Sequence, residues 1–383
     1  MPIPSGSTST PPSHAFTAAI EVSVASGIEP SGLSFDRTIA SSRVVFGAHR
    51  LGELHGELDA LGIKRALLIC SSRQPMLRDA VREAGGDRVE MIFEEIRPHV
   101  PVALVEKSVG LLQEVDGIVT AGGGSAIGLG KALVARSVLP LVAIPTTYSG
   151  SEMTSVFGTT VDGEKTTARN PAVLPRTVIY DPELLVGLPD AIAVPSALNA
   201  FAHCVEALYA DRCEPVTSLI ALEGARIITA ALARDGAKEP MQRCTQLLLG
   251  AHFGGSAFGA VGGSVHHTLC HILGGRHDLP HAETHAAVLP QVLAVLAPEI
   301  PFALAQLGAA LGVKAEAVPA FCFDQVVTSG CRTDLEGLGL PESDVPSVAA
   351  LLAQRTSGTH HHLDPTLASR LLWAAFRGER PAN

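Results

Sequence analysis

Cationic residues are scarce in this sequence, and their scarcity excludes one class of partner. The 383 residues include 28 Lys and Arg against 38 Asp and Glu, which gives a formal net charge of −10. Nucleic-acid binding needs many cations facing the phosphates, so we expect no nucleic-acid partner. An anionic small molecule must be held by a local group of donors, because the overall charge repels it.

Paired cysteines and long apolar runs are also missing. The seven cysteines are scattered without a Cys-x-x-Cys pair, which favours reduced thiols in a cytoplasmic protein over a disulfide framework or a zinc site. No Lys or Arg precedes Arg37, so we expect no signal peptide. Apolar stretches such as 139–144 fall far short of the ~20 residues that span a bilayer. We therefore expect a cytoplasmic protein with no membrane partner.

Hydrophobic periodicity predicts an N-terminal extension followed by two domains. Residues 1–40 begin with a segment rich in Pro, Ser and Thr, which we expect to be partly disordered. Over 41–194, short apolar strands alternate with helical stretches, as in βαβ units around a parallel sheet. Over 195–383, strand signals nearly vanish and long Ala- and Leu-rich helical stretches follow. The predicted fold is an α/β domain with a Rossmann-like parallel sheet, followed by an all-α domain.

A glycine-rich turn separates one predicted strand from a helix. The strand covers 117–121, the turn is Gly122-Gly123-Gly124-Ser125, and the helical stretch covers 126–136. Glycines allow close approach of the backbone and a helix N-terminus presents free N–H groups, so this position favours a diphosphate. The spacing matches neither Gly-x-Gly-x-x-Gly nor a P-loop, and a tight turn without a ligand is the alternative. A second polar turn, 145–150, follows the next strand and favours a dinucleotide site.

Histidines are concentrated in one part of the predicted helical domain. Five of the fifteen lie within 266–281, and His285 follows shortly after. Several are spaced i to i+4, which places them on one helix face, and we expect Gly274-Gly275 and Pro280 to bend the chain between them. Histidine is a common metal ligand and acid–base group. The high density of histidines therefore favours a functional site rather than buried histidines with a structural role. His-Glu-x-x-His and Gly-x-Ser-x-Gly are absent, which argues against two hydrolase classes.

Taken together, these motifs resemble the iron-containing alcohol dehydrogenases over about residues 40–380. The resemblance is carried by the glycine turn with Lys131, by 144–147 with 150–152, by 180–182, and by the histidine block 267–281. Within that family, the chain is most similar to the maleylacetate reductases. The segments that carry this closer similarity are 145–154, 176–184, 198–203 and 279–285. The resemblance implies the dehydroquinate synthase-like fold of the family, an oxidoreductase that uses NADH or NADPH, and a homodimer.

The resemblance also implies which residues form the catalytic centre. The family's metal ligands, an Asp and three His, fall on Asn199, His203, His267 and His281. Its further active-site histidine falls on His271. Because Asn199 replaces the carboxylate, we expect no metal, and we expect His203, His267, His271 and His281 to be catalytic. Gly128 and Ser71 also stand where the family often has Asp, and Ser71 should permit either NADH or NADPH.

Ligand contacts follow from the same resemblance. We expect the cofactor to contact Ser71, Gly123, Gly124, Ser125, Thr146, Thr147, Ser149 and Lys165. We expect a dicarboxylate substrate to contact Asn199, His266, Arg169 and Tyr148, and Lys165 could serve either ligand. The implied reaction reduces the carbon–carbon double bond of maleylacetate to give 3-oxoadipate, with a histidine as proton donor. A metal-dependent alcohol dehydrogenase of the same fold and an inactive cofactor-binding protein are the alternatives.

Overall fold

The computed structural model describes residues 35–38, 41–161, 164–233, 236 and 239–382, and the side chains of 164 and 165 are not included. The predicted N-terminal extension, with its expected disorder, lies almost entirely outside the described residues. Thr38–Asn383 form one compact unit that contains the sheet and the helices together. The division at 194 into two domains stays a prediction.

Six strands form a parallel sheet whose central members are buried on both faces. The described residues form eight strands, of which β6 and β7 lie outside this sheet. They are β1 (Arg43–Phe46), β2 (Ala66–Cys70), β3 (Val89–Phe93), β4 (Gly117–Gly122), β5 (Leu141–Pro145), β6 (Val156–Val161), β7 (Glu164–Arg169) and β8 (Thr177–Tyr180). The order in the sheet is β1-β8-β5-β4-β2-β3, and β6 pairs with β7 in a separate antiparallel hairpin. Because the six strands are parallel, their carboxyl ends meet at one edge, where ligands bind in open α/β sheets.

The helices cover the sheet first and then pack on one another. They are α1 (Leu54–Ala60), α2 (Pro75–Gly85), α3 (Val102–Val109), α4 (Gly124–Ser137), α5 (Asp190–Tyr209), α6 (Pro215–Leu232), α7 (Pro240–Val261), α8 (Val265–His277), α9 (His281–Leu296), α10 (Pro301–Leu311), α11 (Val318–Thr328), α12 (Leu335–Leu338), α13 (Val345–Thr356) and α14 (Pro365–Arg377). Apolar side chains of α1 and α2 form the core on one sheet face, and those of α3 and α4 form it on the other. The later helices enclose a larger apolar core of their own.

The predicted fold class is confirmed, and several details are corrected. The hairpin of β6 and β7 and the strand β8 were not predicted, because their polar threonine-rich or short sequences give little apolar signal. Helix α4 begins at Gly124, two residues before the predicted start. Gly274 and Gly275 do not bend the chain, since they lie inside α8, and the turn follows at Asp278, which has a φ of 51°.

In the part of the chain that the structure describes, two helices, α5 and α6, are long and apolar enough to cross a membrane by length and composition. The most apolar window of α5 is 89% buried inside the protein, and α6 packs against both α5 and α7. A helix that is apolar all round is also typical of the core of a soluble protein. The burial of α5 therefore identifies it as a core helix of this fold.

Candidate active site

A cleft of about 960 Å³ opens at the carboxyl edge of the sheet, between the turns after β4 and β5 and the helices α5, α7, α8 and α9. The predicted site residues on its surface are Gly124, Ser125, Thr147, Ser149, Arg169, Asn199, His203, His267, His271 and His281. The cleft thus brings together residues that are up to 157 positions apart in the chain, from Gly124 to His281.

The glycine turn packs closely against Thr147 and Ser149, and its glycines carry no side chains that would keep a diphosphate away from the backbone. A Cβ on Gly123 would lie 3.0 Å from Cγ2 of Thr147, and one on Gly124 would lie 3.5 Å from Oγ of Ser149. Helix α4 begins at Gly124, so its unpaired N–H groups and the positive end of its dipole lie at this turn. Thr146 follows at the end of β5, and its buried Oγ1 has no partner among the described residues. The site fits the diphosphate of a dinucleotide.

The remaining predicted ligand contacts lie elsewhere. Ser71 follows β2 at the same sheet edge but is not part of the cleft surface, and the side chain of Lys165 is not among those described. Tyr148 is 1% exposed and packs in the helical core, and His266 is fully buried behind the cleft. Neither side chain can touch a ligand in the cleft, so the expectation of substrate contacts at Tyr148 and His266 is corrected.

A buried lysine braces the loop that carries the second polar turn. Lys131 lies in α4, and its Nζ donates hydrogen bonds to the carbonyl of Ser151, to Oγ1 of Thr154 at 2.9 Å and to the carbonyl of Val156 at 3.0 Å. Glu152, also fully buried, accepts a hydrogen bond of 2.8 Å from Tyr180. Burial lowers the pKa of Lys131 to about 7, against the opposing charge of Glu152. The loop is therefore held in place by the donors of Lys131, an amine whose charged form is costly to bury.

The stability of the protein should depend on pH through Lys131. Between pH 7 and 10.5 the unfolded chain holds the Lys131 proton and the folded protein has released it, so stability rises with pH. We expect the free energy of unfolding of wild type, relative to Lys131→Met, to increase across this range by up to about 1.4 kcal/mol per pH unit. Urea titrations at several pH values measure the difference. The exposed Lys64→Met serves as control, and parallel pH curves for wild type and Lys131→Met would contradict the prediction.

Six histidine rings contact one another, some on the floor of the cleft and others in the interior directly behind it. They are His203 of α5, His266, His267 and His271 of α8, and His281 and His285 of α9. His203 and His267 stack with their ring centroids 5.0 Å apart, and Phe258 packs against both. Burial lowers the pKa of His203 and of His285 well below the ordinary value, and neighbouring histidines add to the effect. Both rings are therefore neutral at physiological pH.

The carboxylate of Glu206 contacts this cluster. It is fully buried on α5, one turn beyond His203, and accepts hydrogen bonds from Nδ1 of His267 and, at 2.6 Å, from the backbone N–H of Ser264. Burial alone would raise the pKa of Glu206, but the charge of His267 and hydrogen bonds from His266 and His267 hold it well below the ordinary value. An ionised carboxylate only accepts hydrogen bonds, so Nδ1 of His267 carries the proton and the ring orientation is fixed.

The four positions that the resemblance assigns to metal ligands carry the imidazoles of His203, His267 and His281 and the amide of Asn199. Asn199 is 3% exposed, and its Nδ2 donates 3.4 Å to the carbonyl of Ser149, while its Oδ1 has no partner among the described residues. The neutral amide of Asn199 is a weaker ligand for a divalent cation than the carboxylate that the family has at this position. Among the described residues, the His, Cys and carboxylate groups with ligand atoms within 4.8 Å of one another do not include His203, His267 and His281 together.

Comparison with known proteins shows the family to which this chain belongs. The model of the iron-containing alcohol dehydrogenases matches residues 41–182, and that of the C-terminal part of the same family matches 193–366. A maleylacetate reductase of Pseudomonas sp. strain P51 is 41% identical over 356 residues, which cover 91% of this chain and 99% of that protein. The chain belongs to the iron-containing alcohol dehydrogenase family and is an oxidoreductase that uses a nicotinamide cofactor.

Solved structures show the same relationship. The maleylacetate reductase of Rhizobium sp. strain MTP-10005 superposes with a TM-score of 0.83 at 38% identity, covering 91% of this chain and 99% of that one. The iron-containing alcohol dehydrogenase of Corynebacterium glutamicum also gives a TM-score of 0.83, at 33% identity and with the same coverage. The fold is therefore shared by relatives described as reductases of maleylacetate and as metal-containing alcohol dehydrogenases.

Three residues of the site were missed by the sequence interpretation. Glu206 follows His203 by three positions, a spacing that shares a helix face and could have identified it. Phe258 and Arg212 line the cleft from distant segments, and no local pattern marks either of them.

Proposed function

We propose that this protein reduces the carbon–carbon double bond of maleylacetate, using NADH or NADPH and no metal ion, to give 3-oxoadipate. The observation that carries the proposal is a cleft in which a cluster of histidines faces the glycine turn, while the expected carboxylate ligand is replaced by Asn199. Relatives at 39–41% identity over about nine-tenths of the chain are named maleylacetate reductases.

The reaction adds a hydride and a proton across the double bond. The reduced nicotinamide, when bound, supplies a hydride to the carbon β to the ketone, and NAD⁺ or NADP⁺ is the product. Negative charge then develops on the ketone oxygen, and donors aimed at that oxygen stabilise it. His203 is neutral and can donate an N–H without releasing its proton, whereas His271 and His281, which are only half-buried, can exchange protons with water. Either His271 or His281 delivers the proton to the carbon α to the ketone.

The proposal that the enzyme works without a metal ion predicts how a carboxylate at position 199 would change metal binding. The change Asn199→Asp should raise affinity for iron or zinc by at least about 100-fold, because loss of even an indirect contact to a metal ligand costs 10- to 100-fold. Titration calorimetry and metal content after dialysis measure the effect. Asn170→Asp, which lies outside the cleft, is the matched control. If the native protein holds stoichiometric iron or zinc and chelation abolishes its activity, the metal-free proposal is wrong.

Loss of NADH absorbance on addition of maleylacetate tests the reaction directly. We expect turnover by chelator-treated protein with NADH and with NADPH, and 3-oxoadipate as product. A metal-dependent alcohol dehydrogenase would instead oxidise alcohols only after metal is added. An inactive cofactor-binding protein would bind NADH without turnover of either substrate.

The proposal also includes the oligomeric state of the protein and its location in the cell. A homodimer is inferred from the family resemblance, and light scattering on the purified protein tests it. A cytoplasmic location agrees with reduced cysteines and with a cofactor that is supplied there, and cell fractionation tests it.

A further inference from the structure

Two arginines from separate parts of the chain meet in the cleft. Arg169 is the last residue of β7, and Arg212 lies in the loop between α5 and α6. Both line the same cleft as the histidines, and both are exposed within it. Arg169 belongs to the antiparallel hairpin, whereas Arg212 belongs to a loop that joins two helices. Their meeting is therefore a product of the tertiary structure and not of local sequence.

The two guanidinium groups converge on Gly262, the residue after α7. A Cβ on Gly262 would lie 3.3 Å from Nη2 of Arg169 and 3.8 Å from Nη2 of Arg212. Gly262 has a φ of 92°, a conformation that favours glycine. Arg212 is oriented by a hydrogen bond of 2.9 Å from its Nη2 to the carbonyl of Val261. Gly262 therefore lies next to both cationic groups.

Within the described part of the chain, no carboxylate neutralises this pair. Neither Arg169 nor Arg212 forms an ion pair with a carboxylate of the described residues, although most other arginines of the structure do. Partial burial lowers the pKa of Arg169, and the charge of Arg212 lowers it further. Two like charges held together in a protein of net charge −10 are most stable with an anion between them.

The arginine pair adjoins the catalytic histidines through a short backbone segment. A Cβ on Gly263 would lie 2.9 Å from Cβ of His267, so the next residue after Gly262 already contacts the ring cluster. The N–H of Ser264 then binds the carboxylate of Glu206. An anion at the arginines therefore lies at the same end of the cleft as His267, where the substrate reacts in the proposed function.

We propose that Arg169 and Arg212 together bind one carboxylate of the substrate and make the enzyme selective for dicarboxylates. The identity of the substrate rests on the proposed function, and the arginine site itself rests on the geometry above. Planar guanidinium groups match a carboxylate with paired hydrogen bonds, and two of them can hold both of its oxygens. The residues act on specificity and orientation, since neither is placed at the reacting carbons.

Steady-state kinetics of Arg169→Met and Arg212→Met test the site. We expect the KM for maleylacetate to rise roughly 10- to 100-fold in each variant, because a hydrogen bond to a charged group is lost. The dissociation constants of NADH and NADPH should stay at wild-type values. Arg212→Lys keeps the charge but loses the paired geometry, and should fall between wild type and Arg212→Met. Arg226→Met, on the surface of α6, is the matched control and should behave as wild type.

The outcomes separate the arginine site from the function. If wild type reduces maleylacetate and the variants keep its KM, the site is wrong and the function stands. If the variants lose affinity for NADPH alone, the arginines bind a cofactor phosphate and the proposal is overturned. If wild type does not reduce maleylacetate, titration calorimetry of adipate binding to the NADH-bound protein tests the arginine site independently of the reaction. Adipate binding that is lost in Arg169→Met and Arg212→Met supports the site, and equal binding by all variants overturns it.

Discussion

Replacing His271 by alanine should lower kcat by about 10²- to 10⁴-fold, the usual contribution of a positioned acid or oxyanion donor. His271 lies one turn beyond His267 on α8, with the two ring centroids 6.0 Å apart, and lines the cleft. Its ring is half-buried, whereas His203 and His267 are 6% and 5% exposed. A proton donor must be reprotonated from water after each turnover, and this exposure makes that possible for His271.

The measurement is a steady-state assay with maleylacetate and NADH on both proteins. His360→Ala is the matched control, because its side chain is 66% exposed and lies outside the cleft. The dissociation constant of NADH and the melting temperature should be unchanged in both variants. Turnover at the wild-type rate by His271→Ala, with the fold intact, would remove His271 from the mechanism and leave His281 as the exposed donor.

The α/β part of the fold was predictable because its signals are local. The strand β2 is a continuous apolar run, and the glycines at the end of β4 mark its end and the start of α4. Burial on both faces of a parallel sheet produces such runs, so sequence pattern and structure coincide. The hairpin of β6 and β7 carries threonines and charged residues on a partly exposed ribbon, and its strands give no comparable signal.

The histidines of the site were also predictable, but their connections were not. The spacing of His267 and His271 places them on one face of α8 whatever the fold. That His203 stacks on His267, and that Glu206 bonds to its Nδ1, depends on how α5 packs against α8 and α9. Packing angles between helices are set by side chains along their whole length, so no short motif contains this information.

The failure at Tyr148 and His266 has the same cause. Both belong to motifs that line the cleft, yet each side chain points into the protein interior. The backbone N–H of Tyr148 donates to Oγ of Ser196 at 2.8 Å, and Nε2 of His266 lies 3.1 Å from the carbonyl of His285. A motif identifies the segment that reaches a site, whereas the direction of each side chain follows from the tertiary structure.

The charge of Glu206 should matter to catalysis although the residue does not touch the substrate. Its carboxylate is the hydrogen-bond acceptor for Nδ1 of His267, and their electrostatic interaction is reciprocal. The carboxylate therefore fixes the tautomer of the ring and favours its protonated form when negative charge develops on the substrate. A glutamine has the same shape but no charge, and its amide can bond to either tautomer.

We expect Glu206→Gln to lower kcat by about 10²- to 10⁴-fold while the KM values stay near those of wild type, as when a buried carboxylate that orients a catalytic histidine is neutralised. The alkaline limb of the kcat profile should also move to lower pH, which a purely structural defect would not cause. Glu299→Gln is the matched control, since Glu299 pairs with Nδ1 of His361 at 3.2 Å outside the cleft. The double variant Glu206→Gln/His267→Ala should be no slower than His267→Ala, because the carboxylate acts through that ring. Additive losses in the double variant would show that Glu206 acts by another route.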